Sequence, residues 1–303
     1  MAGGQERVLR RRIRSVQSTK KITKAMELIA ASQILRAQNR MAANRPYRAG
    51  MARIIREAAA GDPAAAEQLL GEPAERHVVS VLALVADRGL SGPYNSSVLR
   101  ATERLVADLR GQGIEVRLFS VGKKAQSYFR FRGHDVSESF VGLSERPTFA
   151  QAREVADAVA ADFLGGRSDQ VLLVSTRYRS AGSQVVEVRQ LLPVALPEGE
   201  EADGAGAPGA PSGGYTEFEP DVQTLLAELA PKAVESEIFT ALLEGAASFF
   251  TAQQRAMAAA SENADELIRT LSRTMNRARQ DAITTEIMEI VGGAEALRQS
   301  KGA

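Results

Sequence analysis

The C-terminal part of the chain carries a long helical pattern of apolar positions. Residues 231–297 contain no proline after Pro231 and only one glycine, Gly245, before Gly292. Their spacing keeps one stripe on one side of a helix, and its length is typical of a coiled-coil seam. A helix of ~65 residues at ~1.5 Å per residue spans ~100 Å, so we expect it to need a partner helix. The stripe comprises Phe239, Leu242, Ala246, Phe249, Met257, Ala260, Ala264, Leu267, Leu271, Met275, Ala278 and Ala282.

The N-terminal part predicts a second long helix. Residues 5–45 lack proline and glycine and consist mainly of good helix formers. Pro46 should kink or end this helix, although the helical pattern resumes as far as Ala60 and Gly61-Asp62-Pro63 then ends it. A first apolar stripe is interrupted by Lys20 and Thr23. The first stripe is Leu9, Ile13 and Val16, and the second is Ile22, Met26, Ile29, Ala30, Ile34, Ala37 and Met41.

Two long helices at opposite ends of one chain allow two kinds of pairing. Each helix could pair with a second copy, which would give a dimeric coiled coil or a rod. Alternatively, the segment between them can reverse the chain, so that the two ends pair antiparallel within one molecule. The pattern by itself leaves both arrangements open.

The middle of the chain has the pattern of an α/β domain. Short apolar or alternating runs predict strands, and the segments between them predict helices. This alternation favours a largely parallel, Rossmann-like sheet. The predicted strands are residues 77–86, 114–121, 136–140, 171–175 and 185–192, with a possible last strand at 215–219, and the predicted helices are residues 95–109, 123–131 and 149–164.

Candidate ligand-binding motifs in this domain are weak. Asp87 and Gly89 follow the first strand, where a phosphate- or metal-binding turn would lie. Residues 122–124 (GKK) lack the upstream glycine of a P-loop. The G-x-G-x-x-G match at 204–209 lies in a Pro/Gly-rich tract at 197–214, which we interpret as a mobile loop. We therefore expect no cofactor.

Composition and charge narrow the class of protein. The chain has 303 residues, 44% of them hydrophobic, and its mean hydropathy is −0.17. It contains no cysteine and two histidines, which excludes disulfides and thiolate chemistry. No apolar run or signal-like segment predicts membrane insertion. Residues 1–60 hold fourteen Lys and Arg against three Glu, a net charge of +11 that favours an anionic partner.

Several motifs, in order along nearly the whole chain, resemble those of the gamma subunits of F-type ATP synthases. Two of them match the amino- and carboxy-terminal signatures of that family, one follows the first strand, and one opens the second long helix. The first-strand motif has serine where many members have cysteine. The matching strings lie at residues 13–27 (IRSVQSTKKITKAME), 30–32 (AAS), 45–47 (RPY), 87–92 (DRGLSG), 219–221 (EPD) and 276–294 (NRARQDAITTEIMEIVGGA).

The resemblance implies a fold and a function. The fold is a long antiparallel coiled coil of the N- and C-terminal helices (residues 1–60 and 220–303) plus a central Rossmann-like α/β domain (residues 77–219). The coiled coil would be a non-catalytic rotor shaft that couples proton flow to ATP synthesis or hydrolysis. The implied partners are the alpha and beta subunits of the head, the epsilon subunit and the membrane c-ring. The chain would then lie at the cytoplasmic face of a bacterial plasma membrane, which it would contact only through the complex.

The resemblance also implies contact residues. Small and apolar residues at 291–294 would suit the tip of the shaft, which has to slide past the head. Phe218 and Glu219 are candidates for contact with the membrane ring at the foot. Polar contacts with the head are implied for Lys20, Lys21, Lys24 and Met26 on the first helix and for Arg279, Gln280, Thr284 and Glu286 on the second.

Two other functions remain open from the residues themselves. The basic first segment could bind nucleic acid, but Tyr47 is its sole aromatic residue and its cations lie on a helix that also has to bury an apolar stripe. An α/β enzyme with helical arms would need an active site that the motifs do not supply. We therefore expect no nucleic-acid partner and no catalytic activity of the chain alone.

Overall fold

The computed structural model describes residues 2–64, 76–194 and 221–301. The chain divides into two compact units, and each long helix contributes residues to both. The helical unit comprises Met1–Ala30 and Gln254–Ala303, and the α/β unit comprises Ala31–Gln253. The possible strand at 215–219, the tract at 197–214 and the foot residues Phe218 and Glu219 lie outside the described residues.

The described elements match the predicted order of helices and strands. Both terminal segments are long helices, and strands alternate with helices between them, so the α/β interpretation is confirmed. None of the described helices combines the length and hydropathy that a membrane span requires. The elements are α1 (Ala2–Gly61), β1 (Val78–Leu84), α2 (Tyr94–Gly111), β2 (Glu115–Val121), α3 (Lys123–Phe131), β3 (Val136–Phe140), α4 (Phe149–Leu164), β4 (Gln170–Tyr178), β5 (Gln184–Leu192) and α5 (Val222–Lys301).

Helix α1 does not end at Pro46, although proline lacks the donor that an interior helical turn needs. Contacts with α5 hold the helix on both sides of that residue. Asn44 Nδ2 donates to Thr240 Oγ1 at 2.9 Å, and Arg48 Nε donates to Glu237 Oε2 at 3.3 Å. Tertiary contacts therefore offset the local cost of the proline, and the helix ends at Gly61 as the sequence predicts.

The sheet has five strands in the order β3-β2-β1-β4-β5. The first four strands are parallel, and β5 pairs antiparallel with β4. Helices α2 and α3 pack on one face around Val98 and Phe129. Helices α4 and α5 pack on the other face around Val155 and Ile238. Because both faces are covered, β1 is apolar except for Ser80, and all but its first residue are buried.

Two local features fix the loops at the carboxyl ends of the strands. Helix α4 begins with a capping box, in which Thr148 Oγ1 accepts from the Gln151 N–H and the Gln151 side chain accepts from the Thr148 N–H. Gly122 precedes α3 at a φ of 97°, and a Cβ there would lie 2.3 Å from the Val85 carbonyl oxygen. Only glycine fits that close approach of two strand ends.

In the helical unit, α1 and α5 pair antiparallel along a narrow seam. Thr23 contacts Ser261 and Lys20 contacts Asp265, so the sequence numbers run in opposite directions on the two helices. The antiparallel coiled coil implied by the resemblance is therefore present within one chain. The buried apolar side chains of the seam are Ile13, Ala30, Met257, Ala264 and Leu271.

The buried seam differs at several positions from the apolar stripes that the sequence predicted. Ile22 and Ile29 were assigned to it, but each side chain is 59% exposed, whereas Thr23 is buried. On α5, the predicted Leu267 is 40% exposed, and Ser261 is buried in place of the predicted Ala260. Adjacent helix positions differ by about 100°, so an assignment shifted by one residue moves a side chain off the seam.

Candidate functional site

The seam of the helical unit is small and partly polar at its centre. The hydroxyl oxygens of Thr23 and Ser261 lie 2.7 Å apart, and Ser261 also bonds to the Met257 carbonyl at 2.9 Å. Lys20 Nζ donates to Asp265 Oδ1 at 2.6 Å, with both side chains partly exposed. Small hydroxyl-bearing residues let the two backbones approach closely. The ion pair helps to fix the register of one helix against the other.

The end of α5 has no helix opposite it in the helical unit. Because Thr23 lies opposite Ser261, the first residue of α1, Ala2, comes opposite Ala282. Residues 283–294 are accordingly all exposed. The exposed large apolar side chains of this α5 end surface, as we call residues 283–294, are Ile283, Ile287, Met288, Ile290 and Val291.

So many large, exposed apolar side chains are unusual on a helix that faces water. Ile290, for example, is 72% exposed. The α1 part of the same unit also exposes Val8, Ile22, Leu28 and Ile29. Large exposed apolar side chains that recur along a helix in this way indicate a contact with another protein. The helical unit therefore buries one narrow apolar stripe in its own seam and leaves further apolar surface for partners.

The residues that the resemblance assigned to the head contact fall into two groups on the helical unit. Lys20 and Met26 are partly buried at the seam, and Lys21 is exposed. Lys24 bonds to Glu27 of its own helix at 2.9 Å. On α5 the assigned residues Arg279, Gln280, Thr284 and Glu286 are all exposed.

The structure does not bring these two groups together. Lys20 lies opposite Asp265, which is fourteen residues before Arg279 on α5. At ~1.5 Å per residue, that separation is ~20 Å along the helix. The two groups would therefore meet different parts of a partner. The candidate foot contacts Phe218 and Glu219 lie outside the described residues.

The exposed apolar residues of the helical unit were partly missed by the sequence analysis. The tip was assigned to residues 291–294, whereas the apolar exposure begins at Ile283. Ile22 and Ile29 were assigned to the buried seam. A heptad count from Thr23 to Ala30 on α1 and from Met257 to Ala264 on α5 would have separated the seam from the exposed stripes.

In the α/β unit, the turn after β1 is closed by internal hydrogen bonds. Asp87 Oδ1 accepts from the backbone N–H groups of Lys123 and Gly142, each at 3.0 Å, and Oδ2 accepts from Ser144 Oγ at 2.8 Å. Burial tends to raise the pKa of Asp87, but these hydrogen bonds outweigh it and lower the pKa. The carboxylate therefore ties the ends of three strands together, and the phosphate- or metal-binding alternative has no support here.

The crevice at the carboxyl ends of β1 and β4, where sheets of this type bind ligands, is filled by protein. Phe249 packs edge-to-face on Tyr94 with the ring centroids 5.8 Å apart, beside Ala86 and Ala247. Gly245 allows the close approach, because a Cβ there would lie 3.0 Å from Leu84 Cδ2. Burial raises the pKa of Tyr94. Ala37 of α1 belongs to the same cluster, so both long helices contribute side chains to this end of the sheet.

Among the described residues, no group of three or more His, Asp or Glu side chains is arranged to hold a metal ion. Within the same ranges, the buried carboxylate of Asp162 is engaged by protein donors. It accepts 2.8 Å bonds from Ser80, Arg117 and Arg167. The surface of the helical unit is therefore the candidate functional site, and its chemistry is that of protein contact.

Comparisons with known proteins agree with this geometry. A family model described as ATP synthase matches residues 5–297. A relative from Parafrankia sp. named ATP synthase gamma chain is 47% identical, over 97% of this chain and 98% of its own. A relative of the same name from Frankia casuarinae is 48% identical, also over 97% and 98%.

Solved structures show the same fold. The chain is similar to one in the rotor of the Euglena gracilis mitochondrial ATP synthase, with a TM-score of 0.64, 19% identity, and coverage of 93% of this chain and 99% of that one. It is also similar to one in the central stalk and c-ring structure of the Tetrahymena thermophila mitochondrial enzyme, with a TM-score of 0.61, 23% identity, and coverage of 79% and 99%.

Proposed function

The chain belongs to the family of ATP synthase gamma chains, and from this premise we infer that it is the central-stalk subunit of a rotary, proton-translocating ATP synthase. It is a non-catalytic subunit, because the catalytic sites of these complexes lie on the beta subunits. Its partners are the alpha and beta subunits of the head, the epsilon subunit and the c-ring. The enzyme alternative considered from the sequence is therefore wrong.

The α5 end surface is the observation that carries the inference. Residues 283–294 form helix without a second helix from the described part of the chain beside them, and five large apolar side chains there are exposed. An apolar surface can turn against an apolar collar without breaking fixed ion pairs at each step. The seam fixes the register of the two paired helices, and the α5 end surface continues beyond it. This combination suits a shaft that rotates within a ring of head subunits.

We propose that polar contacts with the head supplement this bearing. Arg279, Gln280, Thr284 and Glu286 stay exposed on α5 and are available to a partner. On α1, Lys21 is available in the same way, whereas Lys20 already pairs with Asp265 and Lys24 with Glu27. A head contact at Lys20 or Lys24 would therefore exchange an internal ion pair for an external one. Phe218 and Glu219 stay predictions for the foot.

The complex is membrane-associated, and we propose that this chain works at the cytoplasmic face of a bacterial plasma membrane. The two relatives described above come from bacteria. Its attachment to the membrane would be indirect, through the c-ring.

Rotation of the chain inside its head tests the inference directly. Because the chain contains no cysteine, Gln112→Cys gives a single exposed attachment point for a probe in the α/β unit. In heads assembled from alpha and beta subunits with this variant and immobilised on a surface, the probe is expected to turn in one direction when ATP is added. Heads that hydrolyse ATP while the probe stays still would contradict a shaft function.

A crosslink between the two helices provides the matched control. Thr23→Cys with Ser261→Cys places two thiols where hydroxyl oxygens lie 2.7 Å apart, which is close enough for a disulfide. We expect the bridge to form within one chain on oxidation and rotation to continue, because both helices belong to one rotor. Rotation that stops only after oxidation would show that the helices move against each other. Ile22→Cys with Ser261→Cys should not crosslink, because Ile22 points away from the seam.

A further inference from the structure

A partly buried ion-pair network joins both long helices to the sheet within the α/β unit. Its centre is Arg189 on β5, which donates through Nη1 to Glu237 Oε1 and through Nη2 to Ser175 Oγ at 3.1 Å. The other oxygen of Glu237 accepts from Arg48 Nε on α1 at 3.3 Å. We call Arg48, Ser175, Arg189, Glu237 and Glu244 the helix–sheet joint.

Glu244 is the weakly bonded member of this joint. It lies two turns after Glu237 on α5, its side chain is 8% exposed, and its described ion pair is with Arg189 Nη2 at 3.5 Å. Arg189 thus serves two carboxylates and makes its closer bond to Glu237. A charged carboxylate buried with a single long bond is poorly compensated for the water that it has lost.

Polar atoms without a partner accompany Glu244. Within the described residues, Arg189 Nε and Ser248 Oγ are buried and lack a hydrogen-bond partner. Ser248 lies one helical turn after Glu244 on the same helix. A neutral carboxyl group carries one donor that a hydroxyl oxygen can accept, which an ionised carboxylate cannot supply.

We propose that Glu244 is a proton-binding residue that sets how firmly α5 and α1 are attached to the sheet. With the proton bound, the carboxyl group of Glu244 is neutral and Arg189 keeps its closer bond to Glu237. When Glu244 loses its proton, it competes with Glu237 for Arg189 or draws water into the joint, and either change weakens the attachment. The joint is therefore firmer at acid pH and looser at alkaline pH, whatever the function of the complex.

The charged groups that face Glu244 from neighbouring elements agree with this assignment. Burial raises the pKa of Glu244 to about 7, Arg189 on β5 opposes the rise, and Glu237 on α5 adds to it. Arg177 on β4 and Arg48 on α1 also oppose the rise. Arg177 shares its charge with Glu187, which lies 3.5 Å away.

The sign of the pH dependence follows from the raised pKa. An unfolded Glu has a pKa of about 4.3, so the stabilisation is complete below that value, falls as pH rises towards 7, and is lost above it. In Glu244→Gln the side chain stays neutral at every pH. The folding equilibrium constant of the variant relative to the native chain should therefore rise on the order of 50-fold between pH 5 and pH 8.

Urea unfolding of the full-length chain at a series of pH values between 5 and 8 measures this ratio. The matched control is Glu154→Gln, which removes an exposed carboxylate on α4 of the same unit and should leave the pH profile of the native chain unchanged. Identical pH profiles for the native chain and Glu244→Gln would overturn the proposal. The experiment uses the chain without its partners, so its outcome is independent of the rotation test.

A spectroscopic measurement on the native chain keeps the test decisive if Glu244→Gln does not fold. Infrared difference spectra should show the carbonyl stretch of a protonated carboxyl group at pH 6 that disappears by pH 8. Where the variant folds, this band should be missing from it and present in Glu154→Gln. A native chain with no protonated carboxyl group at pH 6 would overturn the proposal.

Discussion

The helix α5 meets its surroundings in two different ways in the two units. In the α/β unit, almost every residue from Val234 to Thr251 is buried, on all sides of the helix. In the helical unit, the buried residues from Met257 to Leu271 follow one another in steps of four, three and seven, and residues 283–294 are all exposed. A helix that buries residues on all sides has to be enclosed by other elements, whereas one with a narrow apolar stripe requires a single neighbour.

This difference assigns different physical tasks to the two units. The α/β unit encloses the helices, and its packing resists any change of volume. The helical unit has a small seam of its own, and its remaining apolar surface is uncovered in the single chain. We therefore expect substitutions in the first unit to affect stability and substitutions on the surface of the second to affect the complex.

The largest expected effect is that of Phe249→Ala in the α/β unit. The ring is buried between Tyr94 and Phe250, so its removal leaves a cavity that should cost about 3–5 kcal/mol of unfolding free energy. Urea denaturation of the full chain measures the loss. Phe131→Ala is the control, because that ring is 87% exposed. If the unfolding free energies of the two variants differ by less than about 1 kcal/mol, the expected difference between enclosed and exposed positions is contradicted.

An intermediate effect is expected from Ala30→Leu in the helical unit. Ala30 is completely buried in the seam, so a larger side chain has to push the helices apart at a cost of about 1–3 kcal/mol. Hydrogen exchange of peptides covering residues 13–30 should show the lost protection. Ala25→Leu on the exposed side of the same helix is the control. Equal protection in the two variants would mean that the seam does not stabilise this end of α1.

The smallest effect on stability, together with a clear effect on function, is expected from Arg279→Ala with Gln280→Ala. Both side chains are exposed, so unfolding free energy should stay within about 0.5 kcal/mol of the native value. ATP synthesis by membrane vesicles that carry the variant should fall several-fold, because the head loses polar contacts. Arg269→Ala with Thr270→Ala, also exposed on α5, is the control. Unchanged synthesis in the first variant would remove these two residues from the head contact.

Much of the α/β unit followed from local patterns. Residues 123–131, 136–140 and 149–164 have the bounds that the sequence predicted, because the switch between periods of two and 3.6 is sharp there and turn residues flank each element. Strand order and the direction of β5 did not follow, because pairing joins segments that are far apart in the chain. The continuation of α1 through Pro46 depended on contacts with α5 in the same way.

The candidate site was predictable to a smaller extent. The motifs at both ends identified which helices matter and that they pair within one chain. The ion pair of Lys20 with Asp265 joins residues 245 positions apart, so it could not be anticipated from local spacing. Glu244 was absent from the sequence analysis for a similar reason: its surroundings include residues from four separate elements.

The sequence alone determined the kind of each element and the family, because periodicity and motif order are written along the chain. Only the tertiary structure decided which apolar stripe is buried. Thr23 and Ser261 form the seam while Ile22 and Ile29 face outwards, the reverse of what hydrophobicity predicts. The physical reason is that a chain made to work inside a complex carries apolar stripes for its own core and for its partners, and only packing tells the two apart.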